Sequence, residues 1–315
     1  MNRRACLLVG CALSVACSEV QTSATPSGTG AGGGTTAATS SAATGSGGGL
    51  TGEWVTLIEG NWELPPLDED YWCATTTVTE DMYVRAFRAL APIGTHHTVV
   101  SKSNGGEPDG EFPCGASTLA DEMIFASGVG TNDLIFPPGV AMEIKAGTQI
   151  LLNLHLFNTS SSPINGLSGA LVQTIPLEEV QQRAEVIFAG SVAIIIPPMS
   201  AGDTDGWCEF PADATVMTVW PHMHQYGTKM KVIHESGAGD VTLHEGPFSF
   251  TEQLNYEIDP VVVHGGERVH VYCEYQNTSN ATVTFGDSST QEMCFAGLYR
   301  YPALNDGLFC DLPLN

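Results

Sequence analysis

Val219-Trp220-Pro221-His222-Met223-His224-Gln225-Tyr226-Gly227-Thr228 holds two histidines one residue apart, in a segment that reads as β-strand. Strand side chains alternate with period two, so Trp220, His222 and His224 share one face, with Met217, Val219 and Met223 on the other. One face has the character of core; the opposite face offers two imidazole nitrogens within reach of a single metal. Further along, Ser289-Thr290-Gln291-Glu292-Met293-Cys294-Phe295 sets a methionine beside a cysteine. Imidazole plus thioether is a soft ligand set that suits copper, Cu(I) above all.

Short alternating runs recur on both sides of this stretch: 76–78, 142–144, 149–157, 186–196, 215–220, 229–233 and 268–275. They are separated by turn signals from a chain with 35 Gly and 18 Pro, so the pattern predicts an all-β protein. Only Leu177 to Ala184 has a helical pattern, and no internal repeat is evident. The chain from residue 51 onward is long enough for two domains of ordinary size.

The N-terminus reads as an address. Met1-Asn2-Arg3-Arg4 is basic, and Ala5 to Ala16 is apolar but too short to span a bilayer. Leu13-Ser14-Val15-Ala16-Cys17 resembles a bacterial lipobox, with Cys17 as the lipidated residue of the mature protein; an ordinary cleaved secretory signal is the alternative. Either way the protein is exported, and the lipobox anchors it to a bacterial membrane, on the periplasmic side or at the cell surface. Residues 18–50 are Ser, Thr, Gly and Ala almost throughout, too poor in apolar groups to offset ordering entropy, and read as a disordered linker. The formal net charge of −24 argues against nucleic acid and anionic lipid as partners. A monomer tethered only through its lipid is expected.

Beyond the leader stand Cys73, Cys114, Cys208, Cys273, Cys294 and Cys310, without Cys-x-x-Cys spacing. In an exported protein an even count reads as disulfides, and six cysteines allow 15 pairings. Three of the nine histidines join His222 and His224 as candidates. His96 and His97 are adjacent, so in a regular strand they point to opposite faces; one metal takes both only where the strand is twisted or bulged. His155 lies opposite Leu152, Leu154 and Leu156, on the face of Asn153 and Phe157. His270 alternates with Tyr272 and Glu274 and is expected to face solvent, while His234, His244 and His264 fall in polar or turn contexts. Asn158, Asn277 and Asn280 each open an Asn-x-Ser/Thr triplet, expected to stay unglycosylated in a bacterial lipoprotein.

Taken in order, Tyr71-Trp72-Cys73, Thr95-His96-His97, Glu111-Phe112-Pro113-Cys114, Leu154-His155, Ile196-Pro197-Pro198, Trp207-Cys208, His222-Met223-His224, Tyr272-Cys273, Glu292-Met293-Cys294 and Phe309-Cys310 form a set. That set resembles the copper type II, ascorbate-dependent monooxygenases, the family of peptidylglycine α-hydroxylating monooxygenase and dopamine β-monooxygenase. The resemblance implies two tandem antiparallel jelly-roll β-sandwich domains, here 51–178 and 179–315, each carrying one copper. His96, His97 and His155 match the family's electron-transfer copper, and His222, His224 and Met293 the copper where oxygen and substrate react. The implied disulfides are Cys73–Cys114, Cys208–Cys310 and Cys273–Cys294.

The implied reaction hydroxylates an unactivated C–H bond of a small organic molecule with O2 and two electrons from ascorbate or another donor. Trp220, Phe295 and Gly297 stand where the peptide-amidating branch has an arginine, an asparagine and a tyrosine that hold a substrate carboxylate. An aromatic or apolar substrate lying against Trp220, Phe295 and Tyr299 is therefore expected. Thr98 stands where the family pattern has methionine, which removes no ligand. Two other classes compete: a copper storage or scavenging protein using the same ligands without turnover, and a metal-free adhesive jelly roll.

Overall fold

A computed structural model describes residues 52–116 and 121–310. The signal segment 1–17 with Cys17 and the linker 18–50 lie outside the described residues. The first half contributes β1 (Val55–Leu64), β2 (Glu69–Thr77), β3 (Met82–Leu90), β4 (Thr95–Lys102), β5 (Gly110–Pro113), β6 (Glu122–Ser127), β7 (Leu134–Ile135), β8 (Val140–Ile144), β9 (Gln149–Phe157) and β10 (Ile164–Thr174). The second contributes β11 (Gln182–Ser191), β12 (Ile195–Ile196), β13 (Ala201–Glu209), β14 (Ala214–His222), β15 (Gly227–Glu235), β16 (Val241–Pro247), β17 (Tyr256–Val263), β18 (Arg268–Gln276), β19 (Val283–Thr284) and β20 (Cys294–Tyr301).

The strands form a sandwich-like, antiparallel fold that repeats itself. One long sheet runs β1-β10-β3-β8-β11-β20-β14-β17, and its first four strands take the same order as its last four. The order β5-β2-β9-β4-β6 faces the first four, and β13-β18-β15-β16 the second. The halves meet at the parallel pair β8–β11, where Gln182–Ala184 align with Val140–Met142. Each half closes over its own apolar core: Phe87, Phe125, Ile144, Leu152 and Leu154 in the first, Val216, Val219, Met230, Val269 and Val271 in the second.

The repeat extends to side chains at one corner. Asn158 Nδ2 donates to the carbonyls of Pro65 at 2.7 Å and Ser162 at 2.9 Å, while its Oδ1 accepts Ser160 N–H. Asn277 does the same for Pro197 at 2.9 Å and Ala281 at 2.8 Å, with Ser279 N–H on its Oδ1. Both side chains are buried. Leu67 and Met199, which follow Pro65-Pro66 and Pro197-Pro198, share a left-handed backbone, φ +55° and +53°. So Leu64-Pro65-Pro66 with Asn158-Thr159-Ser160, and Ile196-Pro197-Pro198 with Asn277-Thr278-Ser279, are one motif used twice. This corrects the expectation of no repeat.

Three local expectations also change. Of Leu177–Ala184, only Leu177–Glu179 forms a helical turn, a 3-10 one with no buried residue. Beyond it, the N–H groups of Gln181 and Gln182 both donate to Gly139 O, so the backbone bonds leave the helix for a neighbouring turn. Met217 does not share a face with Val219; a register shift between Val216 and Thr218 sends it into the first core, beside Tyr299. His270 is buried rather than solvent-facing, because Asp205 and Glu235 satisfy its two ring nitrogens at 2.8 Å each and Trp207 covers it. The three disulfides join Cys73 to Cys114, Cys208 to Cys310 and Cys273 to Cys294.

Candidate metal centre

Against β9, strand β4 shifts register between Thr95 and His97: Thr95 pairs with Leu156 and His97 with His155, leaving His96 as the extra residue. That bulge turns two neighbouring side chains to one side. The rings of His96 and His97 lie 4.2 Å apart, and His155 lies 5.0 Å and 5.5 Å from them. One nitrogen from each falls within 4.8 Å of the others. His155 is buried in β9, held from outside by Glu69 Oε1 at 2.6 Å from its Nε2 and by the parallel ring of Tyr71 at 4.6 Å. Burial lowers the pKa of all three rings, that of His96 to about 4 with help from His155, so the imidazoles are neutral at pH 7.

His222 closes β14 and His224 sits in the turn after it, their rings perpendicular at 5.4 Å. Trp220 stacks on His222 at 5.0 Å. Burial and the neighbouring His224 lower the His222 pKa to about 3. The turn is fixed by Glu292, fully buried beside Met293. Its carboxylate accepts N–H from His224 at 2.9 Å, from Tyr226 at 2.7 Å and from Met293 at 3.2 Å. Desolvation raises that carboxyl to about 7, the backbone donors pulling the other way. Tyr275 donates its hydroxyl to Met293 O at 3.0 Å, and the Cys273–Cys294 bridge pins the next residue.

Hydrogen bonding sorts the ring nitrogens into two kinds. In the first set, His155 and His97 make their bonds through Nε2, and His96 Nδ1 is buried with no partner. The free nitrogens are therefore Nδ1 atoms. In the second set, His222 Nδ1 meets Gln253 Oε1 at 2.7 Å and His224 Nδ1 meets Gln291 O at 3.1 Å, which leaves Nε2 on both. Behind His155, His222 and His224 an oxygen acceptor fixes the tautomer and aims the other nitrogen, the arrangement that holds a metal ligand. A buried His96 Nδ1 with no protein partner is costly, and a cation there would satisfy it.

His97 and His155 of the first set, His222 and His224 of the second, and Met293 line one cavity of about 110 Å³ between the halves, walled by Phe188, Trp220, Phe295 and Phe309. Trp220 reaches it because Gly297 lies opposite on β20: a Cβ there would stand 3.1 Å from the indole. Tyr299, expected at the cavity, is not in its lining. It sits further along β20 inside the first core, 6.1 Å from Phe136, with its hydroxyl on Ile124 O. No lysine or arginine appears among the described lining residues, and Asp287 is the carboxylate there. Glu69, Phe250 and Gln253 were not anticipated from the sequence; Tyr71 and Glu292 stood inside the landmark motifs, with no role assigned to either.

Comparison with known families matches residues 182–311 to the copper type II ascorbate-dependent monooxygenase, C-terminal domain. Among solved structures, one titled "Structure of infectious bursal disease virus Gt strain" aligns at 8% identity over 79% of this chain and 72% of that chain. Its TM-score of 0.12 carries no argument.

Proposed function

From the premise that this chain, through residues 182–311, belongs to the copper type II ascorbate-dependent monooxygenase family, we propose that it is an exported, two-copper monooxygenase. The family is copper- and ascorbate-dependent and its chemistry is oxidoreduction. The finer reading is that His96, His97 and His155 hold one copper through Nδ1, and His222 and His224 hold a second through Nε2 with the Met293 thioether. The observation that carries this reading is the sorting of ring nitrogens, Nδ1 left without a partner in the three-histidine set and Nε2 in the other.

Copper, when bound, supplies one-electron redox chemistry and the activation of O2 for insertion into a C–H bond. The protein's part is positioning. Glu69 and Tyr71 hold His155 from behind; Glu292 holds the His224 turn and Met293 as one unit. A soft thioether beside two imidazoles would favour Cu(I). The aromatic walls keep water out and fit an apolar or aromatic substrate small enough for the cavity. With no cationic side chain in the described lining, a substrate carboxylate finds no partner, which argues against peptidylglycine. A lipid anchor at Cys17 and a 33-residue tether through residues 18–50 would present the domain off a membrane as a monomer.

The test is O2 consumption by the copper-loaded protein with ascorbate, against a panel of small apolar substrates, with product analysis. Consumption matched by hydroxylated product, and abolished in Met293→Ile, is expected. Tight copper binding with no coupled product would identify a storage protein instead.

A further inference from the structure

The loop of residues 248–255, between β16 and β17, belongs to the second half yet is fastened to the first. Gln253 O accepts Gly128 N–H at 3.2 Å and the Thr131 hydroxyl at 2.9 Å, and Asn255 Nδ2 donates to Ala126 O at 3.3 Å. Gly128 permits this approach, since a Cβ there would stand 2.8 Å from Gln253 N. So held, the Gln253 side chain lies between the two histidine sets. Its Oε1 is 2.7 Å from His222 Nδ1; its Nε2 is 3.0 Å from His97 Nε2 and 3.2 Å from Phe250 O.

These contacts decide where the protons sit. Phe250 O can only accept, so the amide turns its NH2 toward Phe250 and His97 and its oxygen toward His222. His222 must then carry its hydrogen on Nδ1, leaving Nε2 open. The second amide hydrogen points at His97 Nε2, which must accept it; the one proton of neutral His97 is left on Nδ1. That is the nitrogen a metal in the three-histidine set would need.

The geometry points to Gln253 as a positioning residue that couples the two sets through one amide: it keeps His222 open for a metal and His97 closed. This rests on reading both sets as metal sites. Ligation through His97 Nδ1 moves the ring proton to Nε2, where it donates to Phe250 O at 3.3 Å. An N–H then faces the amide N–H, and Gln253 has to leave or flip. A flipped amide offers its NH2 to His222 Nδ1, drives the His222 proton to Nε2 and closes the second set. One amide has one accepting end and one donating end, so it cannot serve both sets at once. A carboxylate could, because it accepts at both ends.

The measurement is the histidine tautomer, read from long-range ¹H–¹⁵N spectra of the metal-free protein. In the wild type, His97 and His222 both carry the hydrogen on Nδ1. In Gln253→Glu, His97 switches to Nε2–H while His222 keeps Nδ1–H; in Gln253→Leu, His97 switches because Phe250 O is its remaining partner. Titration with Cu(I) then gives about tenfold tighter binding at the three-histidine set in both variants, the worth of one competing hydrogen bond. His97 found with Nε2–H in the metal-free wild type, or Cu(I) affinity unchanged in both variants, overturns the coupling. Failure of the wild type to bind Cu(I) would contradict the two-copper reading instead, and the tautomers, read without metal, would still decide the role of Gln253.

Discussion

The buried carboxylate of Glu292 gathers three backbone N–H groups from both sides of the second histidine set. Glu292→Ala leaves those donors buried and unpaired, at about 1–3 kcal/mol each. Denaturant titration should show a loss of at least ~3 kcal/mol, alongside weakened Cu(I) binding at the His222 set. The histidines make a second residue-scale prediction. The folded pKa values of His96 and His222, about 4 and about 3, lie below the ordinary 6.5. The folded state therefore binds fewer protons than the unfolded state, and stability is full above pH 6.5 and lost as pH falls toward those values. The Tm of the metal-free protein should decline from pH 7 to pH 4, with a shallower slope in His96→Asn and His222→Asn. At this scale much of the site was legible in the sequence. The spacing paired His222 with His224, although β14 ends at His222 and Glu292 holds His224 in the turn beyond, and one metal for His96 and His97 called for the bulge that is present. Gln253, Phe250 and Glu69 were not legible, because each reaches its histidine from a loop or a neighbouring strand whose register no local pattern encodes.

Among the elements, the corners carry the repeat. Asn158 and Asn277 each satisfy carbonyls of an X-Pro-Pro segment, and at the second corner Pro197 O also accepts the Ser200 hydroxyl at 2.8 Å. Asn158→Ala and Asn277→Ala should each cost about 1–3 kcal/mol by thermal or denaturant unfolding. Asn280→Ala, which opens the same kind of triplet without those bonds, should cost far less. The repeat was hidden because apolar alternation is satisfied by many residues, and the shared Pro-Pro and Asn-Thr-Ser segments are short. Leu177–Ala184 shows the opposite failure. A helical spacing was real, but the turn Leu177–Glu179 buries no residue, and the N–H groups of Gln181 and Gln182 have a better acceptor in Gly139 O. At the seam between halves, Gly128→Val should displace the 248–255 loop, seen as lost amide-exchange protection there without global unfolding.

For the molecule as a whole, the decisive fact is that two histidine sets from separate halves open on one cavity, whose aromatic wall joins Phe188 near the start of the second half to Phe309 near its end. The architecture followed from the strand pattern and the ordered landmarks, but such long-range meetings do not follow from spacing. The Cys273–Cys294 bridge closes a 21-residue separation directly ahead of the Met293 neighbour it holds. Its removal by the Cys273→Ser/Cys294→Ser pair should cost about 3 kcal/mol and loosen the second set before the first. The central claim is that each set holds one copper. Its most direct test is the copper content of the disulfide-intact protein from Thr51 onward, after loading and exhaustive dialysis, compared with His222→Ala/His224→Ala. Two coppers per chain, falling to one in the variant, are predicted; a folded protein that retains none would contradict it.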